Sequence, residues 1–299
     1  MNWFNTMMAS VLPYCPRWMA RPFAHPYVAG ETIEDALKTI EEIHSQGFAA
    51  TVDILGEHIQ TESEAHTVRD EYSDLYEAIG NTNGDCTISL KISHLGLDIS
   101  EHLAMENLMV IVNKAQEVSR GITIDMENSE LTDITLDIYR KIAAKYDQTG
   151  TVLQAYLFRS LTDLKALDSH QLTLRICKGI YREPPEIAFQ TKDEIRNNFI
   201  TLVQSLLKGQ GTAQIATHDP ILLDSLENWI EENQISPDRF EFQALYGVPM
   251  GNRLKKLRDK GWTVRIYVPF GEQWFDYSVR RLKENPRIIG YVLGNLFKN

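Results

Sequence analysis

The chain has 299 residues, 43% hydrophobic and 24% charged, with a formal net charge of −11. This is the make-up of a globular protein with a full core, and an acidic chain without a long Lys/Arg run is not a general binder of nucleic-acid backbones. Three scattered cysteines, Cys15, Cys86 and Cys177, lack CxxC spacing and so argue against a disulfide framework or a zinc site and for a reducing, cytoplasmic setting; no apolar run approaches the roughly 20 residues of a membrane span.

The amino-terminal stretch MNWFNTMMASVLPYCPRWMARPFAHPYVAG contains no Asp or Glu before Glu31, and Pro13 and Pro16 interrupt it. It has no basic start followed by an unbroken apolar run, so a secretory signal is not expected. Residues 1–45 read as a helical arm that packs on the body or on a second subunit, a candidate contact for a homo-oligomer. Its Trp and Phe residues could also touch a membrane surface from the inner face.

From residue 47 onward, short β-branched runs alternate with longer amphipathic ones. The predicted strands are AATVDILG (49–56), TISLKIS (87–93), GITIDME (121–127), TVLQAYL (151–157), LTLRICKG (172–179), AQIATHD (213–219), FEFQALYG (240–247) and TVRIYVPFG (263–271). Stretches such as SEHLAMENLMVIVNKAQEV and DEIRNNFITLVQSLLK have helical spacing between them. Near-continuous apolar strands suggest burial on both faces, as in a parallel sheet. Eight strand–helix units in about 250 residues predict an α/β fold, a TIM-type (βα)8 barrel spanning 46–299. The rival, an open doubly wound sheet, lacks its GxGxxG signature.

Polar residues gather where these strands end, the place at which barrel enzymes assemble their sites. Lys91 follows TISL; Asp125 and Glu127 close the third strand; Gln154 and Tyr156 lie in the fourth. Arg175 and Lys178 come late in the fifth, Thr217 and His218 end the sixth, and Tyr267 sits in the eighth. Ionised groups inside a barrel are costly unless paired or bound to a ligand.

The next stretch, FDYSVRRLKENP, reads as a helix stopping at Pro286, with Tyr277 and Arg281, and Arg280 and Glu284, each four apart on one face. Alone, such a helix is most simply a surface ion pair. Directly after the eighth strand it can lean over the barrel mouth, so that Arg280, Arg281 and Lys91 grip a carboxylate while the Tyr277 ring covers a small apolar ligand. The eight histidines form no HExxH pattern, so no metal is expected, and no GxSxG elbow supports hydrolysis. An organic cofactor performing the difficult chemistry fits better.

Taken together, SLKISHLGLDIS, TIDMENS, VLQAYLFR, LRICKGIYREP, IATHDP, RFEFQALYGV, VRIYVPFGEQWFDY and RRLKENP resemble the short monofunctional bacterial proline dehydrogenases, in family order from about 47 to 299. The resemblance implies a distorted (βα)8 barrel holding FAD non-covalently. It implies oxidation of L-proline to Δ1-pyrroline-5-carboxylate, by hydride transfer from C5 to flavin N5, with electrons passing to a membrane quinone. It further implies that Arg280, Arg281 and Lys91 bind the proline carboxylate, with Glu284 the partner of Lys91 and Glu57 that of Arg280. Tyr267, Tyr277 and Leu245 would wall the ring, Arg175 would lie near flavin N5, and Asp125 would support the substrate side. Met126, Gln154, the backbone of Lys178, Gly179 and Ile180, Thr217 and His218 match positions that contact FAD. Relatives often read KGAY where this chain reads KGIY, so Ile180 adds bulk beside a main-chain contact. Two alternatives stay open at this point: oxidation of another cyclic amine such as 4-hydroxyproline, and a non-catalytic barrel that binds a carboxylate metabolite.

Overall fold

The structure is a computed structural model that describes residues 26–167, 172–275 and 277–279. Eight strands form where the apolar runs predict them: β1 (Ala49–Ile54), β2 (Cys86–Leu90), β3 (Ile122–Ile124), β4 (Thr149–Gln154), β5 (Thr173–Cys177), β6 (Thr212–Ala216), β7 (Phe240–Leu245) and β8 (Val264–Phe270). Each pairs in parallel with the next, and β8 closes on β1, from Ala49 opposite Arg265 to Ile54 opposite Phe270. The described helices are α1 (Ile33–Ser45), α2 (Glu62–Gly80), α3 (Glu101–Glu117), α4 (Thr132–Ala143), α5 (Ser160–Ala166), α6 (Lys192–Lys208), α7 (Pro220–Glu232) and α8 (Arg253–Asp259). The fold is therefore the expected closed (βα)8 barrel, with α1 laid against β1 and β8 ahead of the first strand.

Local sequence explains where several helices begin. Thr32, Thr61 and Thr191 each accept a backbone N–H, while an acid three residues on (Asp35, Glu64, Glu194) accepts the cap's own N–H. Each such cap contributes about 1 kcal/mol. Pro220 opens α7 at a position that needs no N–H, behind the cap Asp219.

Strand side chains alternate with period two. Val52 and Ile54, Ile88 and Leu90, Ile122 and Ile124, Leu174 and Ile176, and Phe240 and Phe242 are buried in the layer shared with the helices. The residues between them face the lumen, where most small barrels carry Val, Ile or Leu. Here a chain of hydrogen bonds between polar side chains runs through it instead. Arg265 pairs with Asp85 (2.6 Å) and Glu241 (2.8 Å), and Gln243 Nε2 donates to Glu241 at 2.6 Å. Gln243 Oε1 accepts from Arg175 Nε at 2.7 Å, and Arg175 Nη1 reaches Asp125 at 2.5 Å. A lone charge in this lumen would cost several kcal/mol, and the chain gives each one a partner.

Strand ends depart from the sequence expectation in small, consistent ways. Lys91, Asp125, Tyr156, Lys178, Thr217 and His218 all lie just beyond their strands. Pairing nonetheless continues past the strand ends: Asp125 N donates to Leu90 O at 2.8 Å and Tyr156 N to Lys178 O at 2.9 Å. Arg175 sits in the middle of β5 rather than late in it.

Candidate active site

At the carboxyl ends of the strands the barrel opens into a cavity of about 740 Å³. One end of it is built from charged residues on four strands and their immediate extensions, joined by a tyrosine from a fifth. Lys91 Nζ donates to Asp53 Oδ2 at 3.0 Å. Tyr267 Oη lies 2.8 Å from Asp53 Oδ2 and 2.9 Å from Asp125 Oδ2. Arg175 Nη2 donates to Ser89 Oγ at 2.9 Å, and its guanidinium lies over the Tyr267 ring at 5.2 Å from the centroid. Closure of β8 on β1 is what brings Tyr267 to Asp53, since Asp53 sits within β1 and Tyr267 within β8.

The electrostatics follow from burial. Asp53 is 2% exposed, and removal from water raises its pKa; Lys91 opposes the shift and Asp125 adds to it. Burial disfavours the charged form of Lys91, but Asp53 and Asp125 outweigh it and hold the ammonium above the usual lysine range. The Tyr267 phenol is pushed far up, first by burial and then by Asp125 and Asp53. A phenol has one proton to donate, so both of its carboxylate contacts are satisfied together only when one carboxyl carries a proton.

The rest of the cavity has different chemistry. Met126, Val152, Gln154, Cys177, Ile180, Thr217, His218 and Leu245 line it. Gln154 Nε2 donates to the carbonyls of Met126 (3.4 Å) and Glu127 (3.2 Å), whereas its Oε1 is buried without a partner. His218 Nε2 accepts from Leu245 N at 2.9 Å, and Thr217 Oγ1 accepts from Asp219 N at 3.2 Å. Gly179 adopts φ +103°, and a Cβ there would stand 1.3 Å from the Tyr156 ring, so backbone approaches where no other residue could. Beyond it, Lys178 and Arg196 converge on Asp219, at 2.5 and 2.8 Å. Burial alone would raise the Asp219 pKa, but hydrogen bonds from Arg196 and Lys178 prevail and hold it at about 2. The loop after β5 is tied across the mouth by Glu183, which accepts from Ser129 N (2.8 Å) and Oγ (2.6 Å).

Of the residues singled out from sequence, Lys91, Asp125, Met126, Gln154, Arg175, Lys178, Gly179, Ile180, Thr217, His218, Leu245 and Tyr267 all line this one cavity. Glu57 is half-buried and Tyr277 is buried on the helical stretch after β8, and neither lines the cavity among the described residues. Arg280, Arg281 and Glu284 lie outside the described residues, as does most of the expected arm. Within the described residues Lys91 pairs with Asp53, a partner that sequence reasoning missed. Ser89, Gln243, Arg196 and Asp219 were missed as well. An acid inside the apolar run TVDIL was the one available signal for Asp53. Among the described residues no cluster of His, Cys, Asp and Glu could hold a metal ion.

Fold and site thus define a class: a (βα)8 barrel with a paired-charge ligand cavity at the carboxyl ends of its strands, where barrel enzymes carry out their chemistry. The family model described as proline dehydrogenase matches residues 36–291. Proline dehydrogenase 1 of Bacillus subtilis strain 168 is 38% identical over 296 residues, covering 99% of this chain and 97% of the relative. Proline dehydrogenase of Deinococcus radiodurans is 34% identical over 280 residues, covering 92% and 90%. The chain belongs to the proline dehydrogenase family and is an oxidoreductase. A crystal structure of proline utilization A from Bdellovibrio bacteriovorus, inactivated by N-propargylglycine, shares the fold with a TM-score of 0.84 at 23% identity. The match covers 95% of this chain and spans 36% of that much longer one.

Proposed function

We propose that the chain oxidises L-proline to Δ1-pyrroline-5-carboxylate with non-covalently bound FAD and passes the electrons to a membrane quinone. The observation that carries this reading is the joining of a carboxylate-compatible charge cluster and a largely apolar recess in one cavity. FAD fits the residues present. The unpartnered Gln154 Oε1 offers an acceptor, and Lys178 supplies a cation near the mouth. When bound, FAD supplies the acceptor for the hydride leaving proline C5, while the ring nitrogen gives up a proton and the C5–N double bond forms.

The side chains of this protein prepare that reaction. Lys91 spends one N–H on Asp53 and has two more for a substrate carboxylate. In this reading Arg280 and Arg281 add their forks to the same carboxylate, and the Glu57–Arg280 and Lys91–Glu284 pairs govern how their helix closes. Tyr267 and Leu245, with Tyr277, wall the ring. Asp125 locks both Tyr267 and Arg175, and Arg175 favours negative charge building up beside it. The half-buried Cys177, its thiol pushed up to about 11 by desolvation, and the hydrogen-bonded His218 are poor points for a covalent link, which supports non-covalent binding.

Exposed Phe158, Ile180 and Ile187 stand on the loops after β4 and β5, giving an apolar acceptor a surface beside the cavity. No described helix is long and apolar enough to cross a membrane; the contact that belongs to this reading is a peripheral one, on the inner face. Residues 1–45 as an arm, with 46–299 as the catalytic barrel, and a homo-oligomer formed through that arm belong to the same reading.

Steady-state reduction of a dye acceptor by L-proline and by 4-hydroxyproline tests it. Proline should be preferred by roughly tenfold or more, because in this reading Tyr267, fixed by two carboxylates, stands where the extra hydroxyl would have to go. Preference for hydroxyproline would contradict the role of Tyr267, and turnover of neither would contradict the reading as a whole.

A further inference from the structure

The charges of the cavity fall into two groups. Around Tyr267, two cations, Lys91 and Arg175, face two carboxylates, Asp53 and Asp125. At the other end Lys178 and Arg196 face the single buried carboxylate of Asp219. That carboxylate is saturated: Oδ2 accepts from Lys178 Nζ (2.5 Å) and Arg196 Nε (2.8 Å), while Oδ1 accepts from Ile221 N (3.1 Å) and Arg196 Nη2 (3.4 Å). Asp193 meets Arg196 Nη1 at 2.9 Å, but from solvent, its side chain being 87% exposed. The outer end of the cavity therefore carries one net positive charge on its wall, on two partly exposed side chains held in place by the same buried anion.

On this basis we infer that Arg196, together with Lys178, holds the diphosphate of the dinucleotide, with Asp219 as the positioning residue that aims both. This rests on the FAD reading above and adds to it a residue on α6 that no motif marked. A diphosphate needs cations within a cavity that also admits an apolar ring, and Arg196 and Lys178 are the cations lining it away from the Tyr267 cluster. Asp219 costs the site little affinity, because its oxygens are already taken by the two cations and by the Ile221 N–H. The ring system is then left to the part of the cavity that runs from Gln154 and Gly179 toward Arg175.

The test uses the full chain stripped of flavin and titrated with FAD and with riboflavin, which has the same ring and no phosphate. Arg196→Gln should weaken FAD by about 10- to 100-fold, the span of a charged hydrogen bond, and leave riboflavin affinity unchanged. Arg196→Lys should recover part of the loss. In the unmodified protein, FAD affinity should fall with added salt and riboflavin affinity should not. This arm stands even if Arg196→Gln fails to fold. Unchanged FAD affinity in Arg196→Gln, equal weakening of both flavins, or a salt response shared by both would each overturn the inference. Binding of neither flavin by the unmodified protein would overturn the FAD reading along with it, and that result is distinct from the other three.

Discussion

Removal of the Asp125 carboxylate probes the lumen chain and the site together. Asp125 accepts from Arg175 at 2.5 Å and lies 2.9 Å from the Tyr267 hydroxyl. In Asp125→Ala the Arg175 guanidinium, 5% exposed, keeps Gln243 and Ser89 but loses its only charged partner among the described residues. Stripping one member from a buried pair costs about 3–5 kcal/mol, and the two retained hydrogen bonds place the loss near the lower figure, about 3 kcal/mol. A domain with about 5–15 kcal/mol to lose stays folded, with its melting temperature reduced by roughly 6–12 °C. Urea unfolding followed by circular dichroism measures this without relying on the assigned reaction. A midpoint change equivalent to less than about 1 kcal/mol, with unchanged slope, would refute the claim that Arg175 depends on Asp125 for its burial.

Other outcomes follow from the same geometry. Gly179→Ala places a methyl group where the Tyr156 ring stands and forces a residue with a side chain to φ +103°, so the purified variant should retain far less flavin by absorbance. Arg265→Met breaks the ion pairs with Glu241 and Asp85 at the opposite end of the lumen; it should lower stability by about 3–5 kcal/mol while KM for proline in the folded fraction stays the same. Asp219, held at about 2 in the folded protein, contributes stability that is complete above the ordinary carboxylate pKa of about 4 and is lost as pH falls toward about 2. Acid titration of unfolding should therefore show the gap between the unmodified protein and Asp219→Asn closing over that window, and a constant gap would contradict the assignment.

Much of this architecture is legible in the chain because parallel strands buried on both faces must be apolar and β-branched, and their helices must carry a stripe. The runs containing Val52, Ile88 and Leu174 needed no tertiary information to be found. Strand ends were harder to read: GITIDME suggested seven residues, yet β3 stops at Ile124 and the chain then turns Glu127 toward Ser93. Lys91 and Arg175 were visible as charges among apolar neighbours. Asp53 gave the same kind of signal; it meets Lys91 across the β1–β2 pairing, but its contact with Tyr267 forms only when β8 closes on β1, a pairing that no local spacing encodes. Arg196 occupies an ordinary position on an amphipathic helix, and only the packing of α6 beside the loop bearing Lys178 turns it toward the cavity. The paired arginines of FDYSVRRLKENP lie outside the described residues, so their convergence with Lys91 stands as a proposal.

The absorbance spectrum of the purified protein, recorded before and after anaerobic addition of L-proline, tests the central claim most directly. A flavin spectrum whose oxidised band bleaches on mixing, with Δ1-pyrroline-5-carboxylate formed in equal amount, is the expected result. A flavin-free protein that cannot be reconstituted with FAD, or a bound flavin that proline leaves oxidised, would contradict it.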